Sequence, residues 1–145
     1  MLRCAAIGLG WWADELAQAI QGKSQKICVT TCYSRTLEKR ISFADKHGTT
    51  IHNSYQTVLT DEDVDAVLLC TPHSLHAEHV EQAARAGKHV FVEKPFTLTE
   101  DSGRAAATVC ADHNRVLAVG QNRRYAAATQ EVKRLLQAGE FGMPL

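Results

Sequence analysis

No stretch of the 145-residue sequence stays apolar for the roughly 18 residues a bilayer-spanning helix needs, so no membrane span is expected. Charge of one sign is missing too, with 16 basic residues against 16 acidic ones. A nucleic-acid partner would require a basic excess, and none is present. Proline is scarce, and no Gly-, Ser- or Pro-rich linker, low-complexity run or internal repeat divides the chain. A single domain is expected, since one hydrophobic core commonly serves ~100 to 150 residues. The opening MLRCAAIGLG is apolar like a leader, but it runs into two tryptophans, Asp14 and Glu15 with no small-residue cleavage site, and it reads as a first strand. Paired cysteines are also lacking. The five, Cys4, Cys28, Cys32, Cys70 and Cys110, are odd in number and sit mostly in apolar runs, which fits reduced, buried thiols of a cytoplasmic protein. Cys28 and Cys32 would stand about 13 Å apart along a strand, too far to share a metal ion.

Apolar runs of strand length alternate with helix-period segments. Residues 2–7, 27–33, 49–52, 65–70, 88–92 and 115–119 read as strands, and 12–21, 36–47, 74–86, 99–113 and 126–138 as helices, with a short helical turn over 54–60. Thr36, Ser74 and Thr99 stand where N-caps belong; Ser102 takes the place of the Glu a capping box would use. Near-continuous apolar strands between amphipathic helices predict an α/β fold, a doubly wound parallel sheet of about six strands in the order 3-2-1-4-5-6, the Rossmann arrangement that binds dinucleotides. The final GEFGMPL looks unfinished: a helix ends at Gly139 and an apolar turn begins.

Gly8-Leu9-Gly10-Trp11-Trp12-Ala13 follows the first strand and opens the first helix, the context a G-x-G-x-x-A phosphate turn needs. Gly8 permits the tight turn, Gly10 lets the backbone approach a pyrophosphate, and Ala13 lets helix and strand pack closely. The amide groups at the helix N-terminus then face the phosphates. With the helix taken from Trp12, its inner face is Ala13, Leu16, Ala17 and Ile20; Trp12 flanks that face and Trp11 lies nearly opposite. Trp12 is expected to line the cleft, packing into the core being the other reading, and Trp11 to point outward, over the phosphates or toward a second domain.

An NAD site carries Asp or Glu at the tip of the second strand. Here the tip is Cys32-Tyr33-Ser34-Arg35-Thr36, without a carboxylate. Arg35 offers a planar charged fork and Ser34 and Thr36 offer hydroxyls, with Lys39 one turn further on, so NADP(H) is favoured over NAD(H). The plainer reading makes Arg35 a solvated charge and Thr36 only a cap.

LLCTPHSLHAEHVEQAARAGKHVFVEKPFTLT carries the pattern T-P-x-x-x-H followed by A-x-x-A-G-K-H-V-x-x-E-K-P. With GLGWWA, VGQNRRY and GEFGMP, it resembles the glucose-fructose oxidoreductase and inositol dehydrogenase family, Gfo/Idh/MocA, over nearly the whole chain. The resemblance implies a nicotinamide-dependent oxidoreductase acting on a sugar, polyol, cyclitol or dihydrodiol. Residues 1–145 would be its dinucleotide-binding domain, and a further C-terminal domain would cover the substrate and mediate homo-oligomerisation. It makes Lys94 the residue beside the reacting carbinol, with Pro95 fixing its backbone, often through a cis bond. It also implies that Glu93 binds ribose hydroxyls or orients Lys94, that Thr71 and Pro72 line the cofactor, and that His76 approaches the nicotinamide end. His73 stands where many relatives carry Asn. Arg124 of the segment N-x-R-[FY] would face the cleft and Arg123 would be solvated; two solvated arginines are the alternative.

His73, His76 and His79 recur every third residue, but such steps drift around a helix and do not converge on one ion, so no metal site is expected. The rivals to an oxidoreductase are a non-catalytic nucleotide sensor or subunit and a Rossmann-type methyltransferase; the E-K-P segment and Arg35 argue against the second.

Overall fold

A computed structural model describes residues 1–142. Met143 and Pro144 of the GEFGMP match lie outside the described residues. Six parallel strands form one sheet in the order β3-β2-β1-β4-β5-β6, the order expected. They are β1 (Leu2–Ile7), β2 (Ile27–Tyr33), β3 (Thr50–Ile51), β4 (Ala66–Leu69), β5 (His89–Val92) and β6 (Leu117–Val119). The helices are α1 (Trp11–Ile20), α2 (Leu37–His47), α3 (Tyr55–Leu59), α4 (His76–Arg85), α5 (Glu100–Asp112) and α6 (Ala127–Gln137).

The alternation of side chains along each strand divides the core in two. Ala5, Ile7, Val67, Leu69, Val90 and Val92 face Val58, Val80, Ala83 and Ala106 of α3, α4 and α5. Cys4, Ala6, Val29, Cys32, Ala66 and Leu68 face Ala13, Ala17 and Phe43 of α1 and α2. Burial on both faces is what a parallel sheet requires, and it explains strands that read as almost unbroken apolar runs. Polar ties hold the layers in register. Asp14 of α1 accepts from the Lys46 ammonium, at 2.6 Å, and lies 2.6 Å from the His47 ring of α2. Arg3 binds Asp65 through Nε and Nη2, across the opposite end of β1. The buried Lys88 ammonium donates to the carbonyls of Asp61 and Val64, which gives the lysine of A-G-K-H a structural task.

Two caps differ from expectation. Ser74 does not cap α4: residues His73–Leu75 form a 3-10 turn, closed by Leu75 N–H to Pro72 C=O, and α4 starts at His76. Thr36 precedes α2 but makes no side-chain cap bond. Thr99 does cap α5, accepting from the Ser102 amide. The last helix, α6, buries none of its residues and leaves Val132 and Leu136 exposed.

Candidate functional site

The register of the sheet sets the site. Ile7 pairs with Tyr33 and Leu69, Leu69 with Val92, and Val92 with Val119, so the residues next in sequence, Gly8, Ser34, Cys70, Glu93 and Gly120, form one row beyond the carboxyl ends of the strands. A doubly wound sheet places its ligands there. Two clefts lie over this row and share Cys70 and Thr71.

The cleft of about 510 Å³ is lined by Gly8, Leu9 and Gly10, by Ser34, Arg35, Thr36 and Lys39, and by Thr71 and Pro72. Gly8 has φ +85°, and a Cβ there would stand 2.6 Å from the Cys70 carbonyl oxygen, so only glycine fits. Gly10 differs: nothing lies within 4 Å of a Cβ built there. No side chain caps α1, which leaves its first amides available beside that open space. The expected turn residues therefore come together with room for phosphates. At the β2 tip, Ser34 is buried and donates to the Thr36 carbonyl at 3.1 Å. Arg35 and Lys39 are exposed and form no ion pair among the described residues. A largely apolar wall of the same cleft comes from Tyr33, Tyr55, Leu75 and His79. The rings of Tyr55 and His79 lie 4.5 Å apart, and burial pushes the His79 imidazole toward its neutral form. The sequence reading missed this wall, because it draws on four separate elements.

The second cleft, about 430 Å³, is lined by Trp11, Trp12, Cys70, Thr71, His73, Glu93, Lys94, Asn122 and Arg123. Trp11 is 72% exposed while Trp12 is half-buried, as expected from their positions around the helix. The Lys94–Pro95 peptide is cis. Glu93 is buried; one carboxylate oxygen accepts from the Trp12 indole N–H and the other from the Lys94 amide at 3.1 Å. A Cβ on Gly120 would lie 2.8 Å from the Glu93 carboxyl carbon, so glycine there leaves the carboxylate its place. Neither Gly120 nor the Trp12 contact was anticipated; a small residue directly after β6 was the available signal.

Two expected contacts are corrected. His76 does not reach the cleft: it is fully buried, with Nδ1 2.8 Å from the Pro95 carbonyl and Nε2 2.9 Å from that of Thr71. It straps the two cleft-lining segments together from behind. Arg124 does not line the cleft either; Asn122 and Arg123 do. Residues Asn122–Tyr125 form a 3-10 turn, and its tighter winding changes which arginine faces inward. Of the three spaced histidines, His73 lines the cleft, His76 is the buried strap, and His79 sits at the other wall with Nδ1 3.4 Å from Thr71 Oγ1. Among the described residues no three His, Cys, Asp or Glu side chains gather as a metal set.

The glycine turn, the open space beside Gly10 and a trough running from Arg35 to Lys94 fit an extended dinucleotide. Known proteins agree. Residues 2–121 match the model of GFO_IDH_MocA, an oxidoreductase family with an NAD-binding Rossmann fold. The chain is 33% identical over 150 residues to scyllo-inositol 2-dehydrogenase (NAD(+)) of Bacillus subtilis, covering 99% of this chain and 42% of that protein. It is 27% identical to D-xylose 1-dehydrogenase [NADP(+)] of Haloarcula marismortui, over 99% of this chain and 41% of the relative. Scyllo-inositol dehydrogenase from Lactobacillus casei, solved with NAD(H) and scyllo-inositol, superposes with a TM-score of 0.91 at 26% identity, covering 98% of this chain and 43% of that one. The chain thus spans less than half the length of these relatives.

Proposed function

The chain belongs to the Gfo/Idh/MocA oxidoreductase family, and from that premise we propose that it is the NADP(H)-binding domain of an enzyme that moves hydride between nicotinamide and a CH–OH or C=O carbon of a sugar, polyol, cyclitol or dihydrodiol. The observation that carries this reading is the pair of clefts over the strand ends that meet at Cys70 and Thr71, with the Gly8 turn and Arg35 in one and Lys94 in the other.

In this reading the adenosine half of the dinucleotide lies along Tyr33, Tyr55, Pro72 and Leu75. Its 2′-phosphate meets Arg35, with Ser34, Thr36 and Lys39 beside it. The preference for NADP(H) rests on the tip of β2, which offers an unpaired guanidinium and no carboxylate. The relatives include users of either cofactor. The Gly10 amide already donates to the Gly8 carbonyl, at 3.0 Å, so the amides of Trp11 and Trp12 at the start of α1 would take the diphosphate. When bound, nicotinamide supplies or accepts the hydride. Lys94 is exposed at that end and forms no ion pair among the described residues, so its ammonium is free to hydrogen-bond the reacting oxygen and stabilise its developing negative charge. Glu93 and Thr71 would hold the nicotinamide half, and His73, Asn122 and Arg123, which line the same cleft, would border the substrate. The rest of the substrate pocket and self-association belong to the length of the relatives that this chain does not span.

Fluorescence titration with NADPH and NADH tests the reading, with Trp11 and Trp12 as reporters. NADPH is expected to bind and to bind more tightly than NADH. Failure of both would remove the cofactor assignment, and preference for NADH would remove the role of Arg35.

A further inference from the structure

Glu93 is the one buried carboxylate among the described residues, and no lysine, arginine or histidine pairs with it there. A carboxylate in that setting is costly unless its oxygens find donors. It has two, both uncharged. The Trp12 indole N–H serves Oε1, and the Lys94 backbone N–H serves Oε2. The backbone at Gly120 closes the third side, where a Cβ would be 3.1 Å from Oε2. Phenylalanine or leucine would fill the Trp12 position with apolar surface but could not donate, since indole brings one N–H and those side chains none.

We propose that Trp12 is a positioning residue: its indole N–H anchors Glu93, and through Glu93 it fixes the backbone of Lys94 relative to the turn that opens α1. The inference rests on the reading of the trough as a dinucleotide site for its consequence, though not for the hydrogen bond itself. Glu93 satisfied by two neutral donors does not draw the neighbouring Lys94 ammonium into an ion pair, and the amine stays free over the cleft. Remove the indole donor, and the strongest remaining partner for the stranded oxygen is that ammonium, pulled away from the nicotinamide end. One side chain on the phosphate-binding helix thereby holds the lysine segment, 81 residues further along, in working order.

The test uses Trp12→Phe, which keeps an aromatic ring and removes the donor. Titration with 2′,5′-ADP, which carries the adenosine half as far as its 5′-phosphate and stops short of the Lys94 end, is expected to give an affinity within about twofold of the parent chain. NADPH affinity is expected to fall roughly 10-fold, the loss of one charge-assisted hydrogen bond. In parallel, the indole N–H resonance of Trp12, assigned by comparison with Trp11→Phe, is expected to lie downfield and to move upfield in Glu93→Gln. Equal losses for both ligands would make Trp12 a merely structural residue, and no loss for either would give it no role; each outcome overturns the proposal. So does an indole resonance that ignores Glu93→Gln. A parent chain that binds neither ligand overturns the dinucleotide reading and the coupling with it, while the resonance still decides the Trp12–Glu93 bond on its own.

Discussion

The two halves of the trough are built by opposite means. At the Arg35 end the charged side chains are exposed and unpaired: Arg35 and Lys39 have no ionic partner among the described residues, and the Thr36 side chain makes no cap bond to α2, while the buried Ser34 donates to the Thr36 carbonyl. At the Lys94 end the groups beneath the surface are interlocked, with Glu93 held by Trp12 and the Lys94 amide, and His76 bound to carbonyls on both sides. Side chains that owe nothing to their neighbours can be exchanged one at a time. Interlocked ones cannot, because each substitution leaves a buried partner unsatisfied. The Arg35 end should therefore tolerate changes of cofactor preference, and the Lys94 end should not tolerate changes at all.

The largest break expected is at the joint between the halves. Gly8→Ala forces a side chain onto φ +85° and against the Cys70 carbonyl, at a cost of roughly 2 to 5 kcal/mol, and should abolish binding of both NADPH and 2′,5′-ADP while lowering the melting temperature. Next comes Lys94→Ala. On the proposed reading, kcat of an enzyme that contains this domain should fall ~100- to 1000-fold, as when one donor to a developing oxyanion is lost. NADPH affinity should fall only roughly 10-fold, as for Trp12→Phe, which stopped-flow and equilibrium titration would separate from the larger loss in kcat. At the adaptable end, Arg35→Asp should reduce the ratio of NADPH to NADH affinity by roughly 10- to 100-fold without lowering the melting temperature. A large thermal loss there would erase the contrast between the halves.

The smallest effect concerns acid, away from both halves. The Lys46 ammonium and then the His47 ring hold the Asp14 carboxyl down at about 2, and Arg3 does the same for Asp65. A carboxyl depressed in the folded state adds stability that is complete above its ordinary value of 3.8 and is lost as pH falls toward 2. Denaturation curves should thus weaken between pH 4 and 2, and Asp14→Asn and Asp65→Asn should each flatten that fall while lowering stability at pH 7.

How much of this was legible in the sequence follows from how local each feature is. β1 and β2 begin and end where their apolar runs do, since Gly8 and Ser34 stop them, and the order of the sheet followed from the alternation of elements. The turn at Gly8 and the tip at Arg35 were singled out because each is a short motif at the end of a strand, and the segment at Lys94 because its E-K-P motif resembles the family's. Errors came where the winding of a turn decides direction: two 3-10 turns displaced the cap from Ser74 and exchanged Arg124 for Arg123. The role of His76 was missed for a different reason. A histidine aimed at a cleft and one buried between two carbonyls have the same sequence spacing, and only the packed fold separates them. Trp12, Glu93 and Gly120 come from three distant segments, and nothing local to any of them announces the other two.

Cys70 lies at the seam that both halves share. Burial, reinforced by the negative charge of Glu93, pushes its thiol up to about 12. At neutral pH the thiolate is then scarce, and it is the thiolate that reacts with peroxide, disulfides and electrophiles. The centre of the trough thus carries a sulfur that oxidants and covalent inhibitors would largely pass by, so a reagent designed to label this cleft would do better to seek the amine of Lys94.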